Sequence, residues 1–160
     1  MGIVLKKWLN LSGSMASFYT FIDNDKDAFG EFLSNNAQKY ESELLGILGR
    51  LKNMGVKNGA LRGYFKLDEA SNNDEKIVCY YDVPDSKLRI FCIRFSVHLV
   101  VLCGGGAKPK TIISWQQSNV LRKAAESSMN VSKLIDTNIE KGLLNITANK
   151  LNFSGKLELN

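Results

Sequence analysis

The sequence predicts an α+β domain in which N-terminal helices pack on a small antiparallel sheet, followed by C-terminal helices and a short hairpin. Three observations carry this. Between residues 37 and 54 apolar side chains recur at three-and-four spacing, the period of a helix that covers a core with one face. Three runs rich in Val, Ile, Phe and Tyr follow over residues 77–83, 87–95 and 97–103, and links this short imply hairpins. The tail then alternates apolar and polar residues around Asn149 and Gly155, as a small hairpin does.

Taken in order, residues 3–8 form a candidate strand and Ser12-Gly13-Ser14 a polar loop. The cluster Asp23-Asn24-Asp25 is placed to cap a helix carrying Phe29, Phe32 and Leu33, because carboxylates suit the positive end of a helix. The same acids imitate the start of a calcium-binding EF-hand loop. That fails, since Ala28 stands at the turn glycine and Ser34 at the closing glutamate. Ala37, Tyr40, Leu44, Leu48 and Leu51 stripe the second helix, and Gly55 reads as its stop. After the third strand come a glycine turn from Gly104 to Lys110 and amphipathic stretches over residues 114–125 and 131–141, the second ended by Gly142. Leu144, Ile146, Phe153, Leu157 and Leu159 build the closing hairpin. One domain over residues 1–160 is expected, its core near 20–125 and an extension near 126–160.

Composition limits the possibilities further. With 44% apolar and 23% charged residues the chain is expected to fold, not to be a disordered tail or fibrous repeat. Its longest apolar candidate, residues 97–103, suits a buried strand and falls far short of the roughly 18 residues of a membrane span. The N-terminal apolar run is too short for a signal peptide, and Lys6 stands where myristoylation needs Ser or Thr. No membrane association is expected, and the cytoplasm is the expected compartment. Cys79, Cys92 and Cys103 fall singly in strand-like runs, without C-x-x-C spacing and with only His98 to share a metal. They are expected to be reduced core thiols, with no metal and no cofactor.

The net charge of +5 is modest, so its distribution decides its meaning. Residues 1–85 carry ten Lys/Arg against twelve Asp/Glu, and residues 126–160 carry four against four. Residues 86–125 have no acid, but seven cations: Lys87, Arg89, Arg94, Lys108, Lys110, Arg122 and Lys123. A run of this kind is usually a solvated face. Here Arg89 and Arg94 interrupt sheet sequence and are held in fixed directions, which points to a polyanion.

Several chemistries are excluded by spacing. The triple glycine is not a Walker phosphate loop, because Ala107 precedes Lys108 and Pro109 separates the lysines. As a glycine turn it leaves backbone N–H groups and two lysines to face a phosphate, or simply ends a strand. His98 has no matching nucleophile or second ligand and reads as structural, and the acids lie outside the strands, which speaks against paired-carboxylate catalysis. What remains must work with cations. Attack of an RNA 2′-hydroxyl on its neighbouring phosphate is such a reaction, because Lys and Arg orient the phosphate and stabilise the charge that builds on it. A lysine among other cations is also a candidate general base.

The order helix, helix, three-stranded meander, with Leu88-Arg89-Ile90-Phe91 in the middle strand and Val100-Val101-Leu102-Cys103-Gly104-Gly105-Gly106-Ala107-Lys108-Pro109-Lys110 after it, resembles the RelE/HigB toxins of the RelE/ParE superfamily. Residues 27–110 are similar to a Bacteroidetes branch of that group, with Cys79-Tyr80-Tyr81-Asp82-Val83-Pro84-Asp85 before the middle strand. The resemblance implies a RelE-like fold. It also implies the toxin of a type II toxin-antitoxin module: a metal-independent endoribonuclease that cleaves mRNA, usually in the ribosomal A site, and is neutralised by a helix-turn-helix antitoxin. By position it makes Arg89, Lys108 and Lys110 the catalytic candidates. Arg94, Arg62, Lys66 and Trp115 become RNA-binding candidates, with a core role for Trp115 and a solvated loop for Arg62 and Lys66 as the plain alternatives. Arg94 lies an odd number of residues from Arg89, so strict alternation sends it to the other sheet face unless a bulge intervenes. No clear equivalent of the family's C-terminal tyrosine, histidine or lysine is present. Two other functions stay open: a ParE-like gyrase inhibitor acting through protein contacts, and an inactive relative that only binds a partner.

Overall fold

Strands, not helices, open the chain. A computed structural model describes residues 2–67, 74–80, 86–108 and 119–160. β1 (Ile3–Lys7) and β2 (Ser17–Asp23) lead, and β2 is buried from Ser17 to Phe21 because both its faces are covered. Asn24 and Asp25 have φ of 53° and 64°, the left-handed pair of a two-residue hairpin turn into β3 (Lys26–Asp27). The acid cluster therefore turns a hairpin and does not cap a helix. Asp27 is the cap of α1 (Ala28–Asn36), its Oδ1 accepting from Gly30 N–H at 2.9 Å. α2 (Glu41–Asn53) then runs on through a π-helical turn at Met54–Asn58, so Gly55 does not stop it. Gly55 instead lies against the Leu11 carbonyl, where a Cβ would collide.

The remaining elements are β4 (Phe65–Leu67), β5 (Ile77–Tyr80), β6 (Leu88–Ser96), β7 (Leu99–Ala107), α3 (Asn119–Glu140), β8 (Leu144–Ile146), β9 (Phe153–Gly155) and β10 (Glu158–Leu159). The expected meander is present as β5, β6 and β7, paired antiparallel in chain order. The expected fold class is not. The meander belongs to an eight-stranded mixed sheet ordered β10-β1-β2-β7-β6-β5-β4, with β3 attached to β2. The helices are not N-terminal, and the small antiparallel sheet of a RelE-like arrangement is replaced by one in which β2 runs parallel to β7. The physical reason is that β7 needs a second neighbour, and the aromatic run of β2 supplies it: Ser17 N–H donates to His98 O at 2.8 Å where the two strands begin.

Each face of the sheet has its own core. On one, Phe29, Phe32, Leu44, Ile47 and Leu51 from α1 and α2 meet Phe18, Leu88, Ile90, Cys92, Val100 and Leu102. On the other, Val131 and Ile135 of α3, together with Leu144 and Phe153, cover Tyr19, Phe21, Ile93, Val101 and Cys103. Residues 126–160 thus close the second face, and β10 pairs with β1 while β8 and β9 form the expected hairpin. The two C-terminal amphipathic stretches are one helix over residues 119–140. The polar residues between them belong to it, since Ser128 is buried with its hydroxyl donating to Ala125 O at 2.6 Å. Gly142 ends α3 as expected, with φ of 75°. Residues 114–118 lie outside the described residues, as does most of the link at residues 84–86.

Candidate nucleic-acid interface

The open end of the β6–β7 hairpin gathers cations by register. Leu88 and Ala107 face each other in the ladder and both pack on the α1–α2 side. Alternation then turns Lys87, Arg89 and Lys108 to the α3 side. Arg89 sits opposite Gly106, and Lys108 N–H donates to Lys87 O at 2.7 Å, which extends the ladder by one step and sets the lysines opposite one another. Opposed side chains have Cβ atoms roughly 5 Å apart, and positions two along a strand are about 7 Å apart. Like charges so placed destabilise a sheet.

The glycines explain how this surface is built, and correct the expected turn. β7 continues to Ala107, so Gly104 to Gly106 are strand residues. Gly104, at φ of 95°, takes up the register shift between Ile90 and Cys92, a bulge that a side chain would strain. A Cβ on Gly105 would collide with the Arg89 carbonyl. At Gly106 it would lie 2.9 Å from Val120 of α3. The small residues therefore let β6 and α3 close on β7, which carries the exposed Arg122 and Lys123 of α3 to the same end of the sheet. The Arg122 guanidinium donates to Asn119 Oδ1 at 3.0 Å.

Arg89 is half-buried and anchored: Nη1 donates to Ser86 O at 2.6 Å, Leu88 O at 3.0 Å and Ser86 Oγ at 3.2 Å. A carboxylate from α2 also reaches this end. Glu43 accepts from Lys87 N–H at 2.9 Å and Leu88 N–H at 2.6 Å, so it braces the backbone of β6. Among the described residues, Lys87, Lys108, Arg122 and Lys123 form no ion pair.

Arg94 is elsewhere. It lies five residues from Arg89, about 16 Å along the strand, and its Nε donates to Ala60 O at 2.8 Å. The bulge near Phe95 comes after Arg94 and does not return it to the Arg89 face. Arg94 lines a pocket with Arg62, which is exposed on a short 3-10 turn. Burial, and then the nearby charge of Arg62, hold the Arg94 guanidinium below its usual pKa. Lys66 is exposed on β4 at the sheet edge. Lys110 and Trp115 lie outside the described residues. Lys87, Arg122 and Lys123 are cations of this end that were not among the sequence's site candidates; for Lys87, the spacing of two from Arg89 is the signal of a shared strand face.

The other candidates are structural. His98 sits in the β6–β7 turn with Nδ1 2.7 Å from Met15 O. Cys92 and Cys103 are buried and Cys79 half-buried, with no disulfide among them; burial pushes the Cys92 and Cys103 thiols up, away from nucleophilic thiolate. No group of three His, Cys, Asp or Glu among the described residues is placed to hold a metal.

Fold and site together define a three-layer α+β protein with a mixed sheet and a cationic open end. No protein-family model, curated protein or solved structure matches the chain. No helix among the described residues is long and apolar enough to cross a membrane.

Proposed function

We propose that the protein binds single-stranded RNA at the open end of β6 and β7, with Lys87, Arg89 and Lys108 on successive phosphates and Arg122 and Lys123 extending the contact. The observation that carries this is the opposed pair Lys87 and Lys108 beside Arg89 on one sheet face. Holding Lys87 opposite Lys108 costs stability in the free protein, and a phosphate backbone offsets that cost.

In its sharper form the proposal is endonucleolytic cleavage of mRNA on the ribosome, the activity that the likeness to RelE/HigB sequences implies, with a helix-turn-helix antitoxin as partner. The 2′-oxygen would attack the adjacent phosphorus as the bond to the 5′-oxygen breaks, leaving a 2′,3′-cyclic phosphate and a 5′-hydroxyl. The proton of the 2′-hydroxyl leaves to a base, and the departing 5′-oxygen takes one up. Arg89 and the lysines would stabilise the charge that grows on the phosphate oxygens.

Fluorescence anisotropy with a labelled single-stranded RNA at several salt concentrations tests the first form. Lys87→Ala/Lys108→Ala is expected to weaken binding and to reduce the salt slope by about 1.4, at roughly 0.7 per lost phosphate contact. An unchanged slope and affinity in the folded variant sink the proposal. For cleavage, primer extension on mRNA from a translation extract should map breaks that Arg89→Gln abolishes. RNA binding without breaks would leave a binding protein and remove the nuclease.

A further inference from the structure

The far end of β6 holds a second concentration of positive charge, built differently from the first. Arg62, Lys76 and Arg94 line one pocket together with Phe65, Val78 and Phe95. Lys76 is already neutralised there, its Nζ 3.0 Å from Asp74 and 3.2 Å from Asp136. Neither arginine forms an ion pair among the described residues, Glu75 of the same pocket included. Arg94 is also fixed, with Nε on Ala60 O and its backbone N–H on Lys76 O at 2.7 Å. A half-buried guanidinium beside a second one needs a counter-charge, and the planar fork of arginine matches phosphate oxygens.

The walls specify more than charge. Phe65 packs on the α1–α2 side of the sheet, held against Tyr80 at 5.8 Å and 60°, whereas the Phe95 ring packs on the α3 side, against Phe153 at 5.5 Å and 89°. Braced in this way, Phe65 presents a fixed apolar surface, suited to a flat heteroaromatic ring. An inorganic anion alone would leave that surface wet.

We propose that this pocket binds a 5′-phosphorylated nucleotide, with its phosphate on Arg62 and Arg94, its base against Phe65, and a ribose hydroxyl donating to Glu75. The site is separate from the RNA interface, from which Arg94 is separated along β6. Its ligand is either a free mononucleotide or the phosphorylated end of a strand.

Isothermal titration calorimetry on the full chain tests this with the four nucleoside 5′-monophosphates, adenosine, inorganic phosphate, and an RNA hexamer with and without a 5′-phosphate. At least one monophosphate is expected to bind at least tenfold more tightly than either adenosine or phosphate. In Lys87→Ala/Lys108→Ala protein, where the RNA interface is weakened, preference for the phosphorylated hexamer over both the unphosphorylated hexamer and the mononucleotide assigns the strand end as source, and preference for the mononucleotide assigns the free nucleotide. Arg62→Gln and Arg94→Gln should each weaken binding at least tenfold, and Lys87→Ala/Lys108→Ala should leave it unchanged, so this site and the RNA interface stand or fall separately. Arg62 is exposed and its variant keeps the Ala60 anchor, so it decides the matter if Arg94→Gln does not fold. Absence of binding by all four monophosphates at about 1 mM, the weak end of specific recognition, together with equal affinity for the hexamer with and without its 5′-phosphate, overturns the proposal, as does wild-type affinity in Arg62→Gln.

Discussion

Lysines on the same sheet meet opposite fates. At the start of β5, Lys76 is clamped by Asp74 and Asp136, and Asp74 in turn accepts from the Ser132 hydroxyl and from Lys76 N–H at 3.0 Å. Because Ser132 and Asp136 belong to α3, that lysine ties the helix to the sheet. At the open end of β6 and β7, Lys87 and Lys108 face each other with no ion pair among the described residues. The first arrangement serves the fold. The second opposes it slightly, because like charges opposite one another destabilise a sheet.

The largest expected effect strikes the scaffold of the cationic end. Gly105→Val would drive a side chain into the Arg89 carbonyl, with an expected loss of about 3 kcal/mol in urea unfolding; a wild-type midpoint would show that β6 and β7 do not approach as described. Next is Asp74→Ala, which removes the partner of Ser132 and Lys76 and should cost about 2 kcal/mol. If its stability matches wild type, the clamp has no structural role and the contrast with Lys87 collapses.

The clamp also has a pH signature. Burial pushes the Asp74 pKa up, but hydrogen bonds from Ser132 and Lys76 and the lysine charge outweigh it and leave it lowered. Burial likewise pulls Lys76 down, and Asp74 and Asp136 reverse this to leave it raised. A lowered carboxylate stabilises the fold above its unfolded pKa, and this is lost as pH falls below about 4. A raised lysine stabilises below its unfolded pKa, and this is lost as pH climbs past about 10.4. The difference in melting temperature between wild type and Lys76→Met should therefore be flat at intermediate pH and shrink at both extremes. The smallest effect belongs to the open end: Lys87→Met should change stability by no more than about 0.5 kcal/mol, in the stabilising direction. A large loss would place Lys87 with Lys76 as a structural cation.

Local order was legible wherever a pattern closes within a few residues. The stripe of Phe29, Phe32 and Leu33 marked α1, the apolar runs marked β5 to β7, and the alternation around Phe153 marked the last hairpin. The failures share a cause. Asp23-Asn24-Asp25 suits a helix cap and a hairpin turn equally, and only pairing of β2 with β3 selects the turn. Gly104 to Gly106 look like a turn by composition, but in the fold their missing side chains admit the Arg89 carbonyl and Val120. The candidate site divided in the same way: alternation separates Arg89 from Arg94, but nothing local places Lys108 opposite Lys87 or Arg62 beside Arg94.

By itself, then, the sequence determined the charge asymmetry, the meander and the amphipathic faces, because each depends on composition or on a period of two to four residues. Tertiary structure alone decided that β2 runs parallel to β7, that residues 126–160 cover the second face of the sheet, and which cations form ion pairs among the described residues. Those outcomes rest on contacts between residues up to more than a hundred positions apart, such as Tyr19 O–H with Phe153 N–H at 3.1 Å, and no short-range pattern encodes them.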